Sequence, residues 1–251
     1  MNILNVALTA RRVAIACLLA APLLLVHIPN GAGTASAKDA RKAFFFDASK
    51  LNLLNLLPPP PSNASAETQG ELAELRRLQA TRTAAREKQA KADEVETVFA
   101  VMSGDLGPAF TADNLPVTAA FFDRVLADES PVIGPDKDAW GRPRPPLLDP
   151  SLKPCVKLTA SNAYPSGHAT VGYLSAIVLA DMIPEKREAV FSAARRFAES
   201  RVICGVHYPS DIAASQTAAA LISVQMRDSR TFQKEFADAK NEVRQRLGLD
   251  Q

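Results

Sequence analysis

Apolar positions along this 251-residue chain recur every three or four residues rather than every second one, which predicts helices and few strands. Residues 38–57 mix apolar and polar positions and end in Leu53-Leu54-Asn55-Leu56-Leu57; Pro58 to Pro61 then predict an extended connector. From Glu67 to about Met102 the chain is rich in Ala, Glu, Arg, Lys and Leu, with Leu72, Leu75 and Leu78 at helical spacing. One or two solvated helices with a single apolar stripe are expected there. Their basic and acidic residues balance, so the charged faces read as wet surface rather than a binding patch. Leu115 to Ala127 predicts a helix with Phe121, Phe122, Val125 and Leu126 facing inward, broken at Gly134-Pro135. Pro143, Pro145, Pro146 and Pro150 require any helix carrying Lys137 to stop near Arg142. Alanine-rich helices are expected at about 165–183 and 186–200, a core helix from Pro209 to about Met226, and a charged tail helix at 230–247. The fold class is all-α, a single-domain helical bundle.

The first residues have a different pattern. Arg11 and Arg12 precede an apolar run from Val13 to Val26, which Pro29 and Gly31 interrupt. Ala35-Ser36-Ala37 then presents small residues where a signal peptidase cuts. The run is shorter than the roughly 20 apolar residues that cross a bilayer. Residues 1–37 are therefore expected to be a cleaved signal peptide and 38–251 a single exported domain. The whole chain has 29 basic and 27 acidic residues; losing Arg11 and Arg12 leaves 27 of each. A neutral domain has no general electrostatic reason to bind nucleic acid or an anionic membrane. The later apolar stretches, Ala169–Ile183 and Ile212–Met226, are interrupted by Asp181 or by Ser215 and Gln216. They read as core helices, so no membrane partner is expected. Any positive field is local, which suits a small anionic substrate.

Once Cys17 is removed, Cys155 and Cys204 remain. An even number in an oxidising compartment makes them a disulfide candidate. Closing a loop of about 50 residues would stabilise the fold by roughly 4 kcal/mol in the chain-entropy picture. Two buried thiols are the alternative.

Candidate chemistry gathers around the two histidines outside the export segment. His168 closes Tyr164-Pro165-Ser166-Gly167-His168, and His207 is followed by Tyr208-Pro209-Ser210-Asp211. Pro165 and Pro209 each suit the first position of a helix, where a missing N–H costs nothing. Ser166 and Gly167 would then offer backbone N–H groups at the positive end of a helix, a ready anion site. Asp211 can hold one ring nitrogen of His207 as N–H and leave the other lone pair free to attack. Arg201, Lys137 and Arg144 add cationic groups suited to phosphate oxygens. This is an arrangement for phosphoryl transfer: His207 attacks phosphorus, and His168 protonates the leaving group and then activates water. The two imidazoles need opposite protonation states, so activity is expected at or below their ordinary pKa of about 6.5. Too few histidines remain for a histidine-rich metal site, and no metal site or cofactor is expected.

Lys137-(six residues)-Arg144-Pro145, then Pro165-Ser166-Gly167-His168, then Ser200-Arg201-(five residues)-His207-(three residues)-Asp211 resembles the three-part signature of the type 2 phosphatidic acid phosphatase superfamily. Within it the chain is most similar to bacterial class A non-specific acid phosphatases. Ala163-Tyr164, Ser200 to Gly205 and the Leu-Leu-Pro-Pro-Pro-Pro stretch at 56–61 add to the likeness. The resemblance implies a helical, metal-independent periplasmic phosphomonoesterase acting on small esters such as nucleotides, sugar phosphates and aryl phosphates, with phosphotransfer to alcohols in some members and a homodimer in many. It implies His207 as nucleophile, His168 as general acid and Asp211 as the partner of His207. It also implies Lys137, Arg144, Ser166, Gly167, His168 and Arg201 as phosphate ligands. Ala169 and Tyr208 stand where that family usually has Thr and Trp, the segment between Cys155 and Tyr164 looks short, and residues 62–110 match only loosely. All these departures are expected to border the substrate pocket. Two other activities share the signature: lipid or diphosphate phosphatases, typically multi-span membrane proteins, and vanadium-dependent haloperoxidases, usually much longer chains.

Overall fold

A computed structural model describes residues 43–249; the expected signal segment and its cleavage site lie outside the described residues. Ten α-helices and short 3-10 turns carry the described chain, with no strand among them. The all-α expectation holds, and the described residues fall in one compact unit.

The centre of the bundle is α7 (Gly167–Met182), buried on almost every side. Its residues are apolar or small all round, the pattern of a helix with no solvent face. It packs most extensively against α8 (Arg187–Ile203) and α9 (Pro209–Arg227). The helix α4 (Pro116–Ala127) lies against α10 (Arg230–Arg246), where Phe121, Phe232 and Phe236 meet ring to ring. Buried aromatic clusters of this kind contribute more than area alone.

Three expectations are corrected. The stretch from Glu67 to Met102 forms three helices, α1 (Ala66–Thr81), α2 (Ala84–Ala92) and α3 (Val98–Leu106). The hydroxyls of Ser65, Thr83 and Thr97 accept from the first-turn N–H groups and restart the helix each time. Gly134-Pro135 does not break a helix: both lie inside α5 (Glu129–Trp140). The break falls at Asp128, whose buried carboxylate accepts the N–H groups of Phe44 and Phe45 instead of capping α5. Pro165 is not the first residue of its helix. Ser166 is the cap, extended at φ −76°, ψ 115°, with its hydroxyl accepting from Ala169 N–H. Pro209, by contrast, does open α9.

The starts of α7 and α9 lie side by side. Ser166 N–H donates to the Asp211 carbonyl at 3.4 Å, and Ser215 Oγ donates to the Ser166 carbonyl at 2.8 Å. Two histidines some forty residues apart are thereby brought to one end of the bundle. None of the described helices is long and apolar enough to cross a membrane.

Candidate active site

His207 is placed by a turn. After α8 ends, Gly205 takes φ +70°, a left-handed conformation that favours glycine. Val206 and His207 then run into Pro209. Within the first turn of α9, Asp211 Oδ2 accepts from Tyr208 N–H at 2.9 Å and lies 3.0 Å from His207 Nδ1. Arg144 Nη1 lies 3.0 Å from His207 Nε2. Arginine can only donate, so Nε2 must accept. The ring proton therefore sits on Nδ1 and points at Asp211. Burial pushes the His207 imidazole down to about 3, against the opposing pull of Asp211. Burial also works to raise the Asp211 carboxyl, but His207, Arg142 and the Tyr208 N–H together hold it below the usual range.

Behind Asp211 is a residue that sequence reading passed over. Arg142 donates to Asp211 Oδ1 at 2.6 Å, to Ser210 Oγ at 2.7 Å and to Glu71 Oε2 at 2.8 Å, and its guanidinium lies 3.9 Å over the Tyr208 ring. Glu71 also accepts from Ser210 N–H. Arg142, Glu71 and Asp211 are all buried. Glu71 comes from α1, so one member of the expected wet surface is internal.

His168 sits at the second position of α7. Its Nδ1 lies 2.7 Å from Glu96 Oε1, and its ring stacks on Phe197 at 4.0 Å between centroids. Its Nε2 is buried without a partner among the described residues. Burial and the nearby Arg201 lower its pKa, while Glu96 and Asp93 act to raise it. Ser166 caps the helix, so the N–H groups of Gly167 and His168 are those left without an intrahelical partner.

Both imidazoles open into one cavity of about 470 Å³, which Lys137, Arg144, Gly167 and Arg201 also line. Lys137 Nζ donates to the Asn162 carbonyl at 2.9 Å; burial and Arg144 lower its pKa to about 8. Arg144 is further held by Ser161 Oγ and the carbonyls of Ser161 and Val206. Arg201 donates one N–H to the Ala90 carbonyl, and its buried Nε has no partner among the described residues. The loop carrying Val156, Lys157, Thr159 and Ser161 along the rim is fastened by the Cys155–Cys204 disulfide. Pairing these cysteines joins the rim to the turn that positions His207.

The cavity thus unites His207, His168, Lys137, Arg144, Gly167 and Arg201, with Asp211 directly behind His207. Ser166 is fully buried and spends its hydroxyl on the helix cap, so it is not among the lining residues. Ala169 and Tyr208 do not border the pocket either. Ala169 is in the main core, and Tyr208 packs with Leu72, Leu75, Leu152 and Ala163. The lining also includes Glu94, Glu96 and Glu129, none of them singled out by sequence. Among the described residues no three His, Cys, Asp or Glu side chains gather as metal ligands would.

Residues 118–232 match the model of the PAP2 superfamily. A non-specific acid phosphatase of Providencia stuartii is 28% identical over 200 residues, covering 76% of this chain and 81% of that protein. A non-specific acid phosphatase of Salmonella typhimurium is 26% identical over 234 residues, 90% of this chain and 94% of that one. A solved bacterial vanadium-dependent iodoperoxidase shares the fold with TM-score 0.54 at 19% identity, over 68% of this chain and 52% of that chain. By this match, and by the three-part Lys–Arg, His168 and Arg201–His207–Asp211 pattern folded around one cavity, residues 118–232 carry a PAP2 superfamily domain.

Proposed function

We propose that this chain is an acid phosphatase that hydrolyses small phosphate monoesters through a phosphohistidine at His207, without a metal. The observation that carries this reading is the state of His207: a neutral ring, Nδ1–H directed at Asp211, Nε2 held toward a cavity of fixed positive charge. That is an activated nucleophile with its lone pair facing the anion site.

The chemistry follows from the groups in place. A phosphate ester entering the cavity competes for Arg144, whose Nη1 then leaves His207 Nε2 for a phosphoryl oxygen. The freed Nε2 attacks phosphorus as the P–O ester bond breaks. Protonated His168 gives its Nε2 proton to the departing oxygen. Water then attacks phosphorus, His168 takes a proton back, and the P–N bond breaks to release phosphate. Lys137, Arg144 and Arg201 offset the charge that builds on the phosphoryl oxygens.

The pH dependence has a definite sign. His207 is needed neutral, and its lowered pKa keeps it neutral well below the ordinary imidazole range. His168 is needed protonated, and its pKa is also lowered, so activity falls as pH rises through a value under 6.5. Activity on the acid side results. In this reading residues 1–37 are removed on export and the remainder works in the periplasm, where its disulfide persists.

The test is hydrolysis of p-nitrophenyl phosphate at several pH values with chelator present. Chelator-resistant activity is expected, and His207→Ala should lower kcat by at least about 10⁴-fold, the scale seen when a catalytic triad is disabled. Rapid quenching should trap an acid-labile phosphoryl group on His207. A metal requirement, or label on another side chain, would overturn the mechanism.

A further inference from the structure

Glu129 has no role in the scheme above, yet it belongs to the same cavity. It opens α5, and Ile133 and Lys137 follow at i+4 and i+8 on the same helix face, all lining the site. It is only 9% exposed, and only the charges of Lys137 and Glu96, no hydrogen bond, act on its carboxyl. Its carboxyl is pressed against the start of α7: a Cβ added to Gly167 would stand 2.6 Å from Glu129 Oε1. Glycine at 167 is what permits this approach. The carboxyl thus sits beside the free N–H groups and the Lys137 ammonium that would receive a phosphoryl group. Glu129 lines the cavity without a side-chain partner of its own, so an anion entering there would meet its carboxyl.

We propose that Glu129 binds the phosphoryl group in its acid form, donating its O–H to a phosphoryl oxygen, and that its carboxylate form opposes anion binding. The proposal rests on the phosphatase reading of the same cavity. A carboxylate can only accept, as can the oxygens of a phosphate dianion, so the ionised pair repel at close range. Protonation turns the same atom into a donor.

The surroundings favour this switch. Burial raises the Glu129 pKa to about 7; Lys137 opposes that and Glu96 assists it. From the other walls Arg144, Arg201 and His207 face the cavity, with His168 beside Gly167. The exposed Glu94 and Lys157 complete the rim. Anion binding and proton uptake by Glu129 are then linked, which adds a second reason for acid-side activity, acting on binding rather than on the leaving group.

The test uses sulfate, a tetrahedral dianion that does not titrate between pH 5 and 8, and calorimetry on the intact protein. Glu129→Gln keeps the shape and a donor without the charge. Its sulfate affinity relative to wild type should rise from about equal at pH 5.5 to on the order of fourfold tighter at pH 7.5, because only about a quarter of wild-type molecules are then in the competent form. Changes at Lys137 and His168 affect both proteins and largely cancel in the ratio. Glu129→Ala, with neither charge nor donor, should bind more weakly than wild type at pH 5.5, by a margin that shrinks about fourfold at pH 7.5. A Gln-to-wild-type ratio that stays flat with pH, or an Ala variant that binds as tightly as wild type at pH 5.5, would overturn the proposal. Sulfate binding is read without turnover, so the mechanism at His207 can stand or fall separately, through the His207→Ala assay.

Discussion

In the proposed mechanism the two histidines are held in opposite ways. Behind His207 stands a wholly buried chain of charges, Asp211, Arg142 and Glu71, drawn from α9, the segment after α5, and α1. Behind His168 stands one carboxylate, Glu96, whose side chain is half exposed in the connection between α2 and α3. A nucleophile must meet phosphorus along one line, and a buried, fully paired network fixes its tautomer and direction. A general acid must change protonation twice per cycle, and a partly solvated partner leaves that proton mobile. The contrast is between positioning and titration.

The largest effect should come from breaking the rigid side at its centre. Asp211→Asn leaves the volume but removes the charge that selects Nδ1–H on His207 and pairs with Arg142. A fall of about 10⁴-fold in kcat is expected, as in triads whose aspartate is neutralised. KM should change far less, since Asp211 does not line the cavity. If kcat fell by less than tenfold, the orienting role of Asp211 would be wrong.

Next comes Arg142→Ala, which leaves Glu71 and Asp211 buried without their shared cation. Stranding buried charges in this way costs about 3–5 kcal/mol, read as a lower denaturation midpoint at unchanged slope. Arg142→Lys should recover only part of the loss, because one ammonium cannot reproduce a planar fork that reaches Asp211, Ser210 and Glu71 at once. A stability loss under about 1 kcal/mol would make this network ornamental rather than structural.

The same contrast separates what could be read in the sequence from what could not. The helices around α7 to α10 were legible because their apolar period is strong and their ends carry caps, prolines or glycine. His168, His207, Asp211, Lys137, Arg144 and Arg201 were legible because their order and spacing form a pattern. The Cys155–Cys204 bridge was legible as an even pair. Glu71, Glu96 and Glu129 were hidden for physical reasons. In α1, rich in Glu, Arg and Lys, the buried Glu71 has the same local signature as a solvated carboxylate, and Glu96 lies in a short connection with no periodicity to place it. Glu129 had a further disguise: its i+4 and i+8 relation to Ile133 and Lys137 requires a continuous α5, which Gly134-Pro135 argues against locally. Ser166 shows the limit from the other side. Its backbone N–H was read as free for an anion, but it donates to the Asp211 carbonyl, and its hydroxyl caps α7.

The smallest effect should come from the loose side, and its value lies in direction rather than size. Glu96→Gln keeps an acceptor for His168 Nδ1–H but removes the charge. Burial already lowers the His168 pKa, and the Glu96 hydrogen bond and charge are what oppose that fall. Without them the pKa drops further, so at any given pH less of the imidazole is protonated. The high-pH limb of kcat/KM, which reports the free enzyme, should therefore move to lower pH, with activity near the optimum reduced by less than about tenfold. The shift should be clear for an alkyl phosphate, whose leaving oxygen needs the proton. It should be muted for p-nitrophenyl phosphate, whose leaving group departs readily as an anion. An unmoved limb, or equal shifts for both esters, would mean that Glu96 merely packs against the ring and that the titrating side of the site is set by other groups.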